Sequence, residues 1–327
     1  MKKYIYVLLT SIIVGTSCTS LEDDILVDNG LIQGNNVLEA SLEKKDGSRT
    51  GMSELTNGVY KTLWSEGDKI GVYIDGNDNQ SQYTLISGEG TSTASFKGYG
   101  KGDSYVALYP SSMLKGLDGN MLSLQLPAEQ SYTENSFGTN SFPMVAISNS
   151  ESLTFRNTCA VLKVSITGTH NINSIVFKTN DENVYVSGSA IIDLNDYPNS
   201  TLVMQDGASN EVTLVCNGVA LDRRTATDFH IVLPAQTYKG GFTLTINTST
   251  GFMVKSTTED VVLERSQIRS LKPFTCRLDE GIEPSADLEG RGTESSPFLI
   301  QCLEDLLLMQ GAVNSEYGTI SPADGTE

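Results

Sequence analysis

The chain has 327 residues, enough for two domains and part of a third at about 150 residues each. Its 40 acidic residues outnumber the 22 basic ones, and a net charge of −18 repels phosphate backbones and anionic lipid, which argues against nucleic acid as a partner. With 39% hydrophobic and 19% charged residues the chain can bury real cores, so disorder throughout is excluded, while two histidines (His170 and His230) offer little material for a His-based metal cluster or triad.

The N-terminus reads as a secretory leader. Met1-Lys2-Lys3 is basic, Tyr4 to Val14 is an apolar run, and the small residues Gly15-Thr16-Ser17 end at Cys18. The run is too short to span a bilayer but suits the core of a signal peptide. A Cys directly after small residues resembles a bacterial lipobox, in which that Cys carries lipid and becomes the first residue; Gly15 stands where Leu is usual. The plainer alternative is an ordinary secretory signal with an incidental Cys. Residues 1–17 are therefore expected to leave, and Cys18 to be the lipid attachment site. Residues 18–35 form a polar tether, in which Ser20-Leu21-Glu22-Asp23-Asp24 resembles the acidic signal that sends lipoproteins of certain Gram-negative anaerobes to the outer leaflet of the outer membrane.

From residue 36 to about residue 277 the hydrophobic period is two. Ile70, Val72 and Ile74 alternate with Lys69, Gly71 and Tyr73; Val106 and Leu108 alternate with Tyr105, Ala107 and Tyr109. The same pattern returns at Leu162/Val164/Ile166, at Val212/Leu214/Cys216 and at Phe242/Leu244/Ile246. Each run is bounded by Gly, Asn, Asp, Ser or Pro and predicts a half-buried strand. No helical period interrupts them, which predicts an all-β chain of two antiparallel sandwiches. The polar break Ser148-Asn149-Ser150-Glu151-Ser152 divides them into residues 36–150 and 151–277. Beyond Cys18, the cysteines Cys159, Cys216, Cys276 and Cys302 allow three pairings; none lies in a C-x-x-C pair, and Cys216, on an alternating face, reads as a buried free thiol.

Residues 278–327 change character. A polar acidic linker leads to Gly290-Arg291-Gly292-Thr293-Glu294-Ser295-Ser296-Pro297-Phe298-Leu299-Ile300, and Leu303 to Val313 carries a helical apolar pattern with Glu304 and Asp305 in its first turn. This is expected to open a third module that is cut short.

Several clusters invite functional readings and have plainer ones. Gly98-Tyr99-Gly100-Lys101-Gly102-Asp103 superficially suggests a phosphate loop, but a strand follows it rather than a helix, so a hairpin turn is expected. Asp68, Asp75, Asp78 and Glu89 fit no EF-hand spacing and read as solvated turn residues, with calcium as the alternative. Asp222-Arg223-Arg224 is a small basic cluster on an acidic surface. Trp64, the only tryptophan, is expected in the core, with a sugar-stacking platform as the alternative. His170 reads as a turn residue and His230 as lying at a strand edge, and neither has a nucleophile in pattern. Tyr73 and Tyr109 are expected to be structural, with buried rings and hydroxyls reaching water.

Some of these residues also form an ordered set. Arg49-Thr50, Trp64-Ser65-Glu66-Gly67-Asp68-Lys69-Ile70-Gly71-Val72-Tyr73 and Tyr105-Val106-Ala107-Leu108-Tyr109-Pro110 resemble the signature of fimbrillin-family surface lipoproteins. Leu126-Pro127-Ala128-Glu129-Gln130, Pro143-Met144-Val145-Ala146, Leu153-Thr154-Phe155-Arg156-Asn157, Ser187-Gly188-Ser189-Ala190 and Gly240-Gly241-Phe242-Thr243-Leu244 follow in the family's order; Asn157 stands near the place of the usual His. Gly292 to Ile300, with Glu304-Asp305-Leu306-Leu307 and Val313-Asn314, is similar to the opening of GLUG-type repeat modules, thought to be β-solenoids.

The fimbrillin resemblance implies two tandem transthyretin-like sandwiches and a lipid-anchored cell-surface protein in adhesion or pilus assembly, as a tip, an anchor or a stand-alone adhesin. It implies no cofactor and no catalysis, with pilus subunits as possible partners and the surface ligand open. It also implies proteolysis after an Arg that follows the first strand, loss of that strand, and its replacement by a partner's. Asn36 to Leu42 is the candidate strand, with Val37-Leu38 and Leu42 as groove-filling residues, and Arg49 is the candidate cleavage site; the alternative is that Arg49 is simply an exposed loop residue. The third module leaves no free strand to donate, so the chain is expected to accept a strand at most. A glycan-binding lipoprotein of a polysaccharide-uptake system is the rival reading, and it requires exposed aromatic platforms.

Overall fold

The computed structural model describes residues 34–43, 53–56, 59–61 and 63–277, with residues 293, 295, 297 and 309 besides. Its strands, in chain order, are β1 (Asn36–Leu42), β2 (Ser53–Thr56), β3 (Val59–Lys61), β4 (Lys69–Ile74), β5 (Ser81–Ser87), β6 (Thr93–Gly98), β7 (Tyr105–Tyr109), β8 (Leu114–Asp118), β9 (Met121–Leu126), β10 (Glu129–Ser131), β11 (Met144–Ser148) and β12 (Ser152–Asn157). The chain continues through β13 (Cys159–Thr167), β14 (Asn171–Thr179), β15 (Gly188–Asp193), β16 (Leu202–Met204), β17 (Glu211–Ala220), β18 (Thr227–Pro234), β19 (Thr237–Tyr238), β20 (Phe242–Thr248), β21 (Phe252–Thr257), β22 (Val261–Val262), β23 (Ile268–Ser270) and β24 (Phe274–Thr275). The expected all-β character holds among the described residues.

The N-terminal module differs from an open sandwich. Seven strands close into a ring in the order β1-β12-β11-β7-β4-β5-β6, with β1 joining the two ends. Nor is it purely antiparallel: β1 runs antiparallel to β6 but parallel to β12. Its interior holds Leu38, Ile70, Tyr83, Phe96, Leu108 and Phe155. The expected one-sided burial of β4 fails for a local reason. Every residue from Ile70 to Ile74 is buried, because the 3-10 turn Ser111–Met113 and the start of β8 cover the outer face. A Cβ at Gly71 would lie 2.6 Å from Leu114 Cδ2, so the cover reaches the backbone itself.

The C-terminal module is a two-layered sandwich. One sheet has the order β10-β17-β14-β20-β21, the other β18-β13-β23 with β24 also pairing β13. Ile175, Phe177, Leu214 and Ile246 share a core with Leu162, Val164, Phe229 and Ile231, two inner faces interdigitating as stacked sheets do. In β17 and β20 the sequence alternation and the observed burial coincide.

Strands do not divide at the polar break. Residues 148–152 are the turn between β11 and β12, both members of the ring, which therefore runs to Asn157. Strand β10 crosses the other way, parallel to β17 with Glu129 opposite Thr213. A further sheet, β16-β15-β9-β8, mixes strands from both sides of the break. Strand β13 has both faces occupied, with Cys159 and Val161 in the ring's core and Leu162, Val164 and Ile166 in the sandwich core. That is why its sequence begins as a continuous apolar run.

Other expectations are corrected locally. The Gly98–Asp103 loop is no hairpin, since β6 and β7 are not neighbours in the ring; the Asp75 carboxylate fixes it by accepting the amides of Asp103 (2.7 Å) and Ser104 (2.8 Å). These bonds hold the Asp75 carboxyl below its ordinary range. His230 lies in the middle of β18, opposite Lys163, buried rather than at a strand end, and burial pushes its imidazole down to about 4. Cys159 and Cys216 are buried free thiols, pushed up by burial to about 12, and Cys276 is buried; Cys302 lies outside the described residues.

Candidate functional site at the seat of the first strand

Strand β1 is the residue set on which the processing expectation rests, and its seat is built from both neighbours. Val37, Glu39 and Ser41 lie in register with Lys97, Ser95 and Thr93 of β6, while Glu39 to Leu42 run beside Ser152 to Phe155 of β12. Alternation sends Leu38, Ala40 and Leu42 inward, all buried. Burying the two leucines stabilises the ring by roughly 1.5–3 kcal/mol each. Val37, expected to fill the groove, faces outward at 39% exposure. Leu38 and Leu42, expected to fill the groove with it, do face inward.

Both ends of β1 are fastened. At the start, the Asn35 amide donates to the Gly98 carbonyl (3.0 Å) and the Gly100 amide to Asn35 Oδ1 (3.1 Å). At the end, Glu43 inserts a carboxylate whose side chain is only 5% exposed. It accepts from Arg265 Nη1 (2.8 Å), Arg156 Nη1 (3.2 Å), the Asn157 amide (3.1 Å) and Ser266 Oγ (3.2 Å). Two guanidinium groups and one carboxylate thus tie the end of β1 to β12 and to the segment before β23. The sequence gives no sign of Glu43, since its partners stand 113 and 222 residues away.

No protein-family model matches this chain, and no curated protein matches it. The chain resembles several solved structures at low identity. One is a candidate cell adhesion protein from Bacteroides ovatus, 14% identical with a TM-score of 0.45, over 74% of this chain and 93% of that one. A protein from Bacteroides fragilis described in the same words is 12% identical with a TM-score of 0.40, over 77% and 93%. A fimbrial protein from Bacteroides ovatus is 11% identical with a TM-score of 0.34, over 74% of this chain and 51% of its own.

The remaining site residues separate into two groups. Cys18 and Arg49 lie outside the described residues, as does nearly all of 278–327. Trp64 is a core residue, 2% exposed, with Phe96, Tyr109 and Phe155 packed edge-on at ring centroid distances of 5.0–5.5 Å. Edge-on, enclosed rings give no flat face for sugar stacking. Tyr73 is buried as expected. Tyr109 corrects the expectation that its hydroxyl reaches water: it donates to Asp68 Oδ1 (2.9 Å), and burial with the Asp68 charge holds the phenol well above its ordinary range. Asp68 is accordingly no solvated turn residue. It is buried, accepts the Ser65 amide (2.8 Å) on its other oxygen, and has its carboxyl pushed up by burial.

The arrangement permits one mechanical act. Because β1 is the first strand of the ring and joins β12 in parallel, no tight hairpin holds it; taking it away opens the ring between β6 and β12 without breaking any other pairing. The opened ring would expose an apolar groove and two rows of unpaired backbone groups, which a strand of matching pattern can satisfy.

Proposed function

We propose that this is a lipid-anchored, surface-exposed fimbrillin-like protein of the outer membrane that acts in adhesion or pilus assembly, as a fibre tip, an anchor or a stand-alone adhesin, and not as an enzyme. The reading includes transthyretin-like ancestry of both modules and a GLUG-like module after residue 278. The observation that carries it is the position of β1 as the closing strand of the ring, followed a few residues later by Lys44-Lys45-Asp46-Gly47-Ser48-Arg49. Cleavage after Arg49 would cut β1 from the rest of the chain, and its seat would then accept a partner's strand. Cys18, ahead of a polar tether, would hold the mature chain at the membrane.

Two measurements test this reading. Cys18→Ala should release the protein from membrane fractions or leave an unprocessed precursor; normal retention with unchanged lipid labelling removes the anchor. The chain cut at Arg49 should take up a synthetic peptide of residues 36–42 and yet form no polymer alone. A ladder of SDS-resistant polymers from the cut protein by itself would make it a self-polymerising stalk subunit instead.

A further inference from the structure

Backbone pairing and burial alone leave the register of β1 underdetermined. The edges of β6 and β12 can pair with any extended segment, and a slide by two residues returns every side chain to the same face. Within the inward set Leu38, Ala40 and Leu42, only the small Ala40, which stands opposite Ala94 and Leu153, resists such a slide. The residue that fixes the register is polar. The Glu43 amide donates to the Phe155 carbonyl (2.9 Å), continuing the line of β1 beside β12, and this brings the Glu43 carboxylate to Arg156, Arg265, the Asn157 amide and Ser266.

The socket around that carboxylate has ties other than Glu43. Arg265 Nη1 also donates to the Asn157 carbonyl (2.9 Å). The Arg156 guanidinium lies 5.6 Å from the centre of the Tyr197 ring, whose hydroxyl donates to the Thr154 carbonyl (3.0 Å). Ser266 Oγ accepts from Asn157 Nδ2 (3.1 Å), and the Ser266 amide donates to the Cys159 carbonyl (2.9 Å). Ser266 is held in the left-handed region with a φ of 65°, a conformation uncommon for a residue other than glycine and of the kind that surrounding structure sustains at functional sites. All these groups follow β1 in the chain, so they stay when β1 leaves. Two guanidinium groups, a hydroxyl and an amide N–H then converge on a place from which the carboxylate has gone.

We propose that this socket selects the strand that the emptied seat accepts: a strand of another subunit, running as β1 runs, whose last inward apolar residue is followed directly by a carboxylate. Guanidinium groups are the donors best suited to a carboxylate, and the requirement for one at a single position also removes the freedom to slide. The proposal rests on the strand-exchange reading above and gives the incoming strand its chemistry. The preference has a distinctive sign. A chain of net charge −18 disfavours an acidic peptide against a neutral one, and the socket reverses that order.

The test uses the full chain with the recognition sequence of a site-specific protease in place of residues 44–49, so that cutting does not depend on Arg49. After cutting, labelled peptides compete for the seat, read by fluorescence anisotropy; their ends are acetylated and amidated, which removes the terminal carboxylate that would imitate Glu43. The peptide of residues 35–43 should bind at least about tenfold more tightly than its Glu43→Gln form, the worth of hydrogen bonds to a charged group. A peptide carrying both Ser41→Glu and Glu43→Ser, unchanged in composition and charge, should be as weak as the Glu43→Gln form. Arg265→Gln in the chain should shrink the preference for the Glu43 peptide, and Arg156→Gln serves the same purpose if that variant fails to fold. Equal binding of the native and Glu43→Gln peptides, tight binding of the rearranged peptide, or a preference that survives loss of the arginine would each overturn the proposal while leaving strand exchange standing. Uptake of no peptide at all would overturn both.

Discussion

The ring and the sandwich solve the same problem of sheet edges in opposite ways. The ring has no edge, but only because β1 fills the last place between β6 and β12. The sandwich keeps an edge at β21, where Phe252 and Val254 are 45% and 50% exposed and Lys255 stands between the two sides. A charged residue on an edge strand is a common defence against pairing with another chain. The closed module thus concentrates its integrity in one terminal strand, while the open module spreads it over many pairings and leaves an edge that hardly matters. Only in the first design would the loss of one strand open the whole sheet.

Substitutions can break this contrast, beginning with the largest effect. Glu43→Ala removes a buried carboxylate and its four hydrogen bonds, two of them from the half-buried Arg156 and Arg265, and should destabilise the chain by about 3–5 kcal/mol in all. Denaturant unfolding checks it, and a loss confined to the ring, seen by hydrogen exchange in β1 and β6, would locate the effect. Leu38→Ala should cost about 2–5 kcal/mol through the cavity it creates. At the other extreme, Val254→Thr on the exposed edge should change stability by no more than about 0.5 kcal/mol. A cost at Val254 as large as that at Leu38 would show that the sandwich edge is covered in solution.

Acid should also separate the modules. His230 in the sandwich binds its proton near pH 4 when folded and near 6.5 when unfolded. Between those values the unfolded chain holds the extra proton, so stability falls as pH drops from about 6.5 to 4, by roughly 2–4 kcal/mol from this group. Asp68 in the ring behaves oppositely: its folded carboxyl titrates above 3.8, so acid relieves a cost instead of adding one. His230→Gln should therefore flatten the acid limb of the stability curve, measured as the denaturant midpoint against pH, whereas Asp68→Asn should steepen it.

Much of the fold was legible because period-two patterns report which way side chains point. They placed β4, β7, β13, β17 and β20, put Leu162, Val164 and Ile166 in a core, and the edge-on enclosure of Trp64 agrees with its reading as a core anchor. They do not report which strands are neighbours. Ring closure depends on the parallel pairing of β1 with β12, more than a hundred residues on, and the exchange of β10 depends on its meeting β17. Neither leaves a local trace. The site was legible to a similar degree: the first strand and its inward Leu38 and Leu42 are marked in the sequence, Val37 beside Leu38 is apolar too but faces outward, and the Glu43 tie is invisible because charge partners in a sheet are set by register. The sandwich's His230 was misjudged for the related reason that strand length cannot be read from a single polar residue inside an apolar run.

The central claim is that β1 is a separable strand, and limited digestion of the full chain with an Arg-specific protease tests it most directly. Mass analysis of the early products should show one cut, after Arg49, followed by loss of the peptide that carries residues 36–42, while the remainder from Thr50 onward keeps its slow hydrogen exchange in β7, β13 and β14. Early cuts within residues 63–277, or a cut at Arg49 after which the peptide stays bound and cannot be exchanged for an added copy, would contradict it.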